Sequence, residues 1–254
     1  MIYIGCAGWN LSRPSLEEFP VLGSHLQRYA TRLNAVEVNS SFYRSHRPQT
    51  YARWAASVPE GFRFSVKAPQ TITHERRLMN CETPLKDFLE QCGQLEGRLG
   101  CILLQLPPSL QYEAKIAQNF FELMRKHYAG PLALEPRHPS WRDADAKLSA
   151  FQIAQVGASP PRFGDDEQPS GWPGMVYWRL HGVPRTYYSS YPKAYLQRLS
   201  QRLEVSRANN VPTWCIFDNT TSGAALGNAL MMQALLNPVE AARQRVSVAP
   251  SKAC

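Results

Sequence analysis

The chain has 254 residues, 44% of them hydrophobic and 19% charged, which is enough to bury a full core and lacks the composition of a disordered segment. Its 28 basic and 20 acidic residues leave a net charge of +8, which favours anionic partners: a small anionic molecule first, with nucleic acid as the alternative. No run approaches the ~20 apolar residues of a membrane span, so no membrane partner is expected.

The opening "MIYIGCAGWN" has no basic leader segment and reads as a first strand rather than a signal peptide. Strand-like apolar runs follow at 35–39, 62–67, 100–106, 131–135, 153–158, 175–182 and 212–218, eight with the first at 1–5. Helical patterns lie between them. Ser24 is a candidate cap for a helix bearing Leu26, Tyr29, Ala30 and Leu33 on one face. Thr83-Pro84 is expected to start another, with Leu85, Phe88, Leu89, Cys92 and Leu95 as its apolar stripe. Ile116, Phe120 and Met124 mark a third, and Leu196, Leu199 and Leu203 a fourth. A fainter helix falls within 140–150, and the last runs from Ala224 to Leu236, ending before Asn237-Pro238.

Eight strands alternating with helices predict parallel pairing and a single-domain (β/α)8 barrel over residues 1–237. An open doubly wound sheet is the alternative, but "GCAGW" lacks the third glycine and the immediate helix of a dinucleotide loop. Residues 159–174 read as a long Pro/Gly-rich connection and 238–254 as a loosely ordered tail. The six cysteines show no CxxC pair or metal spacing, so a reduced, cytoplasmic protein is expected.

Barrels gather functional groups at the C-terminal ends of their strands. Those ends carry Trp9, Glu37 with Asn39, Lys67, Gln105, Glu135 with Arg137 and His138, Arg179 with His181, and Asp218 with Asn219. Alternation sends Glu37 to the face opposite Val36 and Val38, which is inward in a barrel, where it needs a cation. Glu37 and Glu135 are candidate acid–base groups, His138 or His181 a proton shuttle, and Lys67 an anion binder, base or imine-forming amine. Arg137 and Arg179 are planar forks for a carboxylate or phosphate, or structural partners of the glutamates. His74, in "TITHERRL", is placed to close over a ligand. The aromatic residues Trp9, Phe42, Tyr43, Trp141, Tyr187, Tyr188 and Tyr191 are candidates for stacking on it or covering the mouth, and "RTYYSSYP" reads as a lid.

Glu37, Glu135, His181 and Asp218 are residue types that bind divalent metals, but no HExxH-like signature accompanies them. Lys67, Arg137 and Arg179 oppose a cation there, so a metal is not favoured, and no organic-cofactor motif is present. The stretch "FDNTTSGAALGNAL" starts a helix with small polar residues, which suits either an anion site or simple capping by Ser222.

Seven ordered motifs, "GCAGW", "LNAVEVNSSFY", "FRFSVKAPQTITHERRL", "LGCILLQLPPSL", "LALEPRHPSW", "YWRLHG" and "CIFDNTTSGAALGNAL", together resemble the DUF72 (YecE-like) family over about residues 2–236. The resemblance implies a TIM-type barrel and carries no catalytic assignment. It implies that Glu37, Lys67, His74, Glu135, Arg137, His138, Arg179 and His181 match the family's polar positions. Asp218 departs from it, standing where the pattern usually has Asn, and "NLSRPSLEEFP" lacks the usual aromatic residues after "GW". A likeness of the family's barrel to metal-dependent endonuclease barrels is a matter of fold, and supports the nucleic-acid alternative only by analogy.

Overall fold

The computed structural model describes residues 1–161 and 168–237. The expected tail at 238–254 and the centre of the 159–174 connection lie outside the described residues. In chain order the strands are β1 (Ile2–Cys6), β2 (Ala35–Val38), β3 (Arg63–Lys67), β4 (Leu99–Gln105), β5 (Leu132–Glu135), β6 (Ile153–Gln155), β7 (Gly157–Ser159), β8 (Ser170–Gly171), β9 (Val176–Leu180) and β10 (Thr213–Phe217). The helices are α1 (His25–Ala30), α2 (Ser40–Tyr43), α3 (Pro48–Ala56), α4 (Glu82–Gly93), α5 (Ala114–His127), α6 (Asp145–Ala150), α7 (Lys193–Ala208) and α8 (Ala224–Leu236).

Two hydrogen-bonded arcs, β2-β3-β4-β5-β6-β8 and β1-β10-β9-β7, make up the sheet. Every pairing is parallel except that of the short β8 with β6. The expected strand at 153–158 is divided at Val156: its first half pairs β5 and its second half pairs β9, carrying the chain from one arc to the other. At the other seam, between β1 and β2, one backbone bridge joins Ala7 to Glu37.

Side chains complete that seam. The Asn34 amide accepts from the Ile4 N–H at 2.8 Å and donates to the Ile2 carbonyl at 2.8 Å. The Tyr29 hydroxyl accepts from the Cys6 N–H at 2.8 Å and donates to the Ala35 carbonyl at 2.9 Å. Backbone groups that would be orphaned inside the protein are thereby paired. Gly5 is required here, since a Cβ would sit 2.1 Å from the Ala35 carbonyl oxygen.

Strand alternation divides the core in two. Val36, Val38, Phe64, Val66, Leu132 and Leu134 face the helices. Ala35, Cys101, Leu103, Ala133, Ala154, Tyr177, Trp214 and Ile216 fill the barrel. Small residues on β2, β4, β5 and β6 make room for the stacked rings of Tyr177 and Trp214, whose centroids are 5.7 Å apart. This interior is packed rather than hollow, as in other barrels of this kind.

The helix signals hold with some shifts. Ser24 caps α1 in a reciprocal box with Gln27. Helix α4 begins at Glu82 with Cys81 at its cap, so Thr83-Pro84 lies within the first turn, where the missing N–H of proline is harmless. The cap of α8 is Gly223, at φ +79°, and Ser222 instead donates to the Tyr188 carbonyl. The faint helix at 140–150 is a 3-10 turn, Pro139–Ala144, running into the single-turn α6.

Candidate functional site

The last inward-facing residue of each strand lies at the top of the barrel, one step above the apolar interior. Glu37 on β2, Lys67 on β3, Gln105 on β4, Glu135 on β5 and Arg179 on β9 are all buried there. His181 and Asp218 follow just beyond β9 and β10 and are also buried.

Arg179 is the hub. Its Nε and one terminal nitrogen clasp Glu37 at 3.0 and 2.7 Å, and the latter also reaches Asp218 at 3.0 Å. Its other terminal nitrogen donates to Glu135. Three carboxylates therefore converge on one guanidinium, a planar fork that stays charged when buried. His181 bridges two of them, Nδ1 lying 3.0 Å from Asp218 and Nε2 3.1 Å from Glu135. Both contacts are hydrogen bonds at once only when both ring nitrogens carry protons. Tyr177 places its hydroxyl 2.8 Å from Glu37 and 2.8 Å from Ser65, which closes the network from below.

The electrostatics follow. Burial opposes ionisation of Glu135, but Arg179, His181 and Arg137 outweigh it and hold its carboxyl well below the usual range. Asp218 is lowered in the same way: burial opposes its charge, while Arg179 and then His181 prevail. Burial, with Glu37 beside it, raises the Tyr177 phenol well above its ordinary value and keeps it protonated.

Lys67 differs from the other buried cation. Only 7% of it is exposed, yet among the described residues no carboxylate oxygen pairs with its Nζ, which instead sits 3.9 Å above the Phe42 ring. Burial first, and Arg179 second, lower its pKa to about 8 against the more distant pull of Glu37, Glu135 and Asp218. His74 packs edge-on against the same Phe42, with centroids 4.9 Å apart, from the turn Thr71–Glu75. Burial, then Lys67 and Arg137, lower the His74 pKa. Arg137 contacts Glu135 at 3.2 Å, and its buried Nε lacks a hydrogen-bond partner.

The remaining candidates divide. Gln105 turns its amide to the Leu106 carbonyl, and Trp9 packs edge-on against Trp54. Asn39 lines a cavity of about 330 Å³ beside the β1 exit, with its buried amide oxygen unpartnered. His138 caps the Pro139–Ala144 turn by accepting from the Ser140 N–H at 3.2 Å. Tyr43 stands 73% exposed at the rim.

Three expectations of ligand contact or lid placement fall to core packing. Trp141 is buried, donating to the Leu110 carbonyl at 2.9 Å. Asn219 is buried under the Ser189 carbonyl and Asn228. The stretch expected as a lid is partly interior: the buried Tyr191 hydroxyl accepts from the Gly182 N–H and donates to the Ser159 carbonyl.

The residues proposed for a divalent metal do meet, but Arg179 occupies their centre, and among the described residues no group of three or more His, Cys, Asp or Glu is arranged to hold an ion. Tyr177 and Ser65 were missed as members of the network; their inward phase, two residues before Arg179 and Lys67, was the available signal. A larger cavity of about 460 Å³ opens at the opposite end of the barrel, lined by Ile2, Leu33, Phe62 and Leu236, with no carboxylate or histidine. Arg32 and Arg207 also line it, but it has no acid–base pair of the kind described above.

Fold and mouth define a TIM-type barrel with an acid–base network at the C-terminal ends of its strands. Residues 3–252 match the family model "Protein of unknown function DUF72", and the chain belongs to that family. A DUF72 protein of Enterococcus faecalis superposes with a TM-score of 0.79 at 22% identity, covering 93% of this chain and 96% of that one. One from Thermotoga maritima gives 0.76 at 25% identity, covering 93% and 99%. UPF0759 protein YecE of Escherichia coli is 31% identical over 142 residues, 56% of this chain and 50% of the relative. UPF0759 protein YunF of Bacillus subtilis is 30% identical over 152 residues, 56% of this chain and 52% of the relative. The chain thus spans about half the length of the curated relatives it matches. Among the described residues, no helix is long and apolar enough to cross a membrane.

Proposed function

We propose that the mouth of the barrel binds a small molecule through a phosphate or carboxylate group and acts on it by acid–base chemistry. One observation carries this reading: Lys67 is a buried cation whose Nζ sits over an aromatic ring and, among the described residues, pairs with no carboxylate. A buried charge without a counter-ion is unfavourable, and an arriving anion supplies one. Arg137 adds a second cation near the mouth, and it and Lys67 both act, after burial, to lower the His74 pKa.

The network beneath has a different task. Glu37 is fully buried and gripped on both oxygens by Arg179 and Tyr177, so it fixes the guanidinium rather than meeting a substrate. Glu135, His181 and Asp218 form a continuous hydrogen-bonded chain able to pass a proton behind the mouth. Lys67, with a pKa of about 8, is the group that exchanges a proton with a ligand near neutral pH.

Thermal unfolding against inorganic phosphate, sulfate and small carboxylates tests the reading. A ligand present at a hundredfold its Kd stabilises by about 2.7 kcal/mol. Wild type is expected to gain this from at least one of these anions and Lys67→Met to gain none. Equal responses in the two proteins, or no response in wild type, overturn the reading.

The nucleic-acid alternative rests on the net charge of +8. It requires salt-dependent retardation of DNA or RNA, with affinity falling steeply as salt rises. No retardation at low salt removes it.

A further inference from the structure

We infer that Lys67 is a covalent catalyst: its amine condenses with the aldehyde or ketone carbonyl of an anionic substrate to form an imine. The inference rests on the anion-binding reading above and adds a reaction class to it. Four features of the site carry it. Lys67 ends β3 with its side chain turned into the barrel mouth, where the backbone is held by the strand and by Ser41 Oγ donating to the Lys67 carbonyl at 2.7 Å. Among the described residues its Nζ makes no ion pair that would hold it as an ammonium, and it lies 3.9 Å over the face of Phe42. Arg179, anchored by three carboxylates, adds a fixed positive charge close by. The residue is buried almost completely, so an imine formed there is shielded from hydrolysis.

A lysine works as a nucleophile only as the free amine, and desolvation beside a second cation is one established way to obtain it. Burial and Arg179 lower Lys67 to about 8, opposed by Glu37, Glu135 and Asp218, with His74 and Tyr43 also packed on Phe42. About a tenth of Lys67 is then unprotonated at pH 7, against about one part in 3,000 for a lysine at its ordinary value of 10.5.

The step balances without any redox partner. The nitrogen lone pair attacks the carbonyl carbon, forming the C–N bond, and one amine proton passes to the oxygen to give a carbinolamine. The second amine proton leaves with that hydroxyl as water, and the C=N bond forms. Arg137, beside Glu135 at 3.2 Å, is the cation proposed to hold the substrate's anionic group. His74 is the candidate carrier of the proton from nitrogen to oxygen.

Glyoxylate, the smallest carboxylate-bearing aldehyde, is the probe. The full-length protein is treated with glyoxylate and cyanoborohydride at pH 7, which reduces any imine to a stable carboxymethyl amine, and modified lysines are mapped by peptide mass spectrometry. Lys67 is expected to be labelled at least about tenfold faster than the exposed Lys115 and Lys193, a conservative part of its advantage in free amine. Inorganic phosphate should protect it. Labelling of Lys67 no faster than that of Lys115 in the folded wild type overturns the inference, and this comparison needs no variant. Lys67→Arg separates it from the reading on which it rests. That variant keeps the charge, so stabilisation by phosphate persists while labelling at this position is lost. Rapid labelling of wild type without any stabilisation or protection by phosphate would instead sink the anion-binding reading and leave a reactive lysine.

Discussion

Replacing Lys67 by methionine should make the protein more stable, although it removes a side chain at the centre of the candidate site. The drop of its pKa from 10.5 to about 8 means that the fold resists the ammonium by about 3 kcal/mol relative to the unfolded chain. Methionine has similar length, no charge to desolvate, and a sulfur that suits the Phe42 face. The sign over pH follows from linkage. Between about pH 8 and 10.5 the unfolded chain binds more protons than the fold, so wild type gains stability as pH rises through that window. Urea unfolding of the two proteins at pH 7 should therefore show Lys67→Met more stable by up to about 3 kcal/mol. Near pH 10.5 the difference should nearly vanish. A variant less stable at pH 7, or a difference that does not change with pH, would refute the claim that the ammonium is uncompensated. A site that gives up stability in this way is expected where the missing interaction is made by a ligand.

Three further outcomes follow. Arg179→Met leaves Glu37, Glu135 and Asp218 buried without their shared cation, and should cost about 3–5 kcal/mol or abolish folding, read by urea unfolding or soluble yield. Glu135 and Asp218 are both depressed in the fold, so their stabilisation is complete above about pH 5 and is lost as pH falls through 4.5 and 3.8 and below. Unfolding at stepped pH should show that loss, and Glu135→Gln should flatten it. Tyr29→Phe strands the Cys6 N–H and the Ala35 carbonyl at the β1–β2 seam, and should cost about 1–3 kcal/mol with faster amide exchange at Cys6.

How far the sequence spoke depends on the range of the interaction. Alternation within "AVEVN" and "LALEPRHPSW" turned Glu37 and Glu135 inward, because a two-residue period needs only the strand itself. The eight runs and their intervening helices made the barrel legible through the same local patterns. Partner choice was not local: Arg179 and Glu37 are 142 residues apart, so nothing near either one distinguished a gripped carboxylate from a free one. Helix α3 went unread although Pro48 opens it, and its buried Tyr51 has only the partly buried Trp54 and Ala55 as further apolar contacts on that face. The seam residues Tyr29 and Asn34 looked like ordinary helix and loop positions, since their hydrogen bonds reach across to a strand about 30 residues earlier. Trp141 lies in the loop leaving the fifth strand, a position that reads as the mouth, yet it sits in the 3-10 turn Pro139–Ala144 and is buried in the core.

The central claim, that Lys67 is a buried ammonium awaiting an anion, is tested most directly by titrating the lysine side chains by NMR of 13Cε-labelled protein. Without added anions Lys67 is predicted to titrate near 8, and with saturating inorganic phosphate its midpoint should move upward, as a bound counter-ion restores the charged form. A midpoint close to 10.5 that phosphate leaves unmoved would contradict the account.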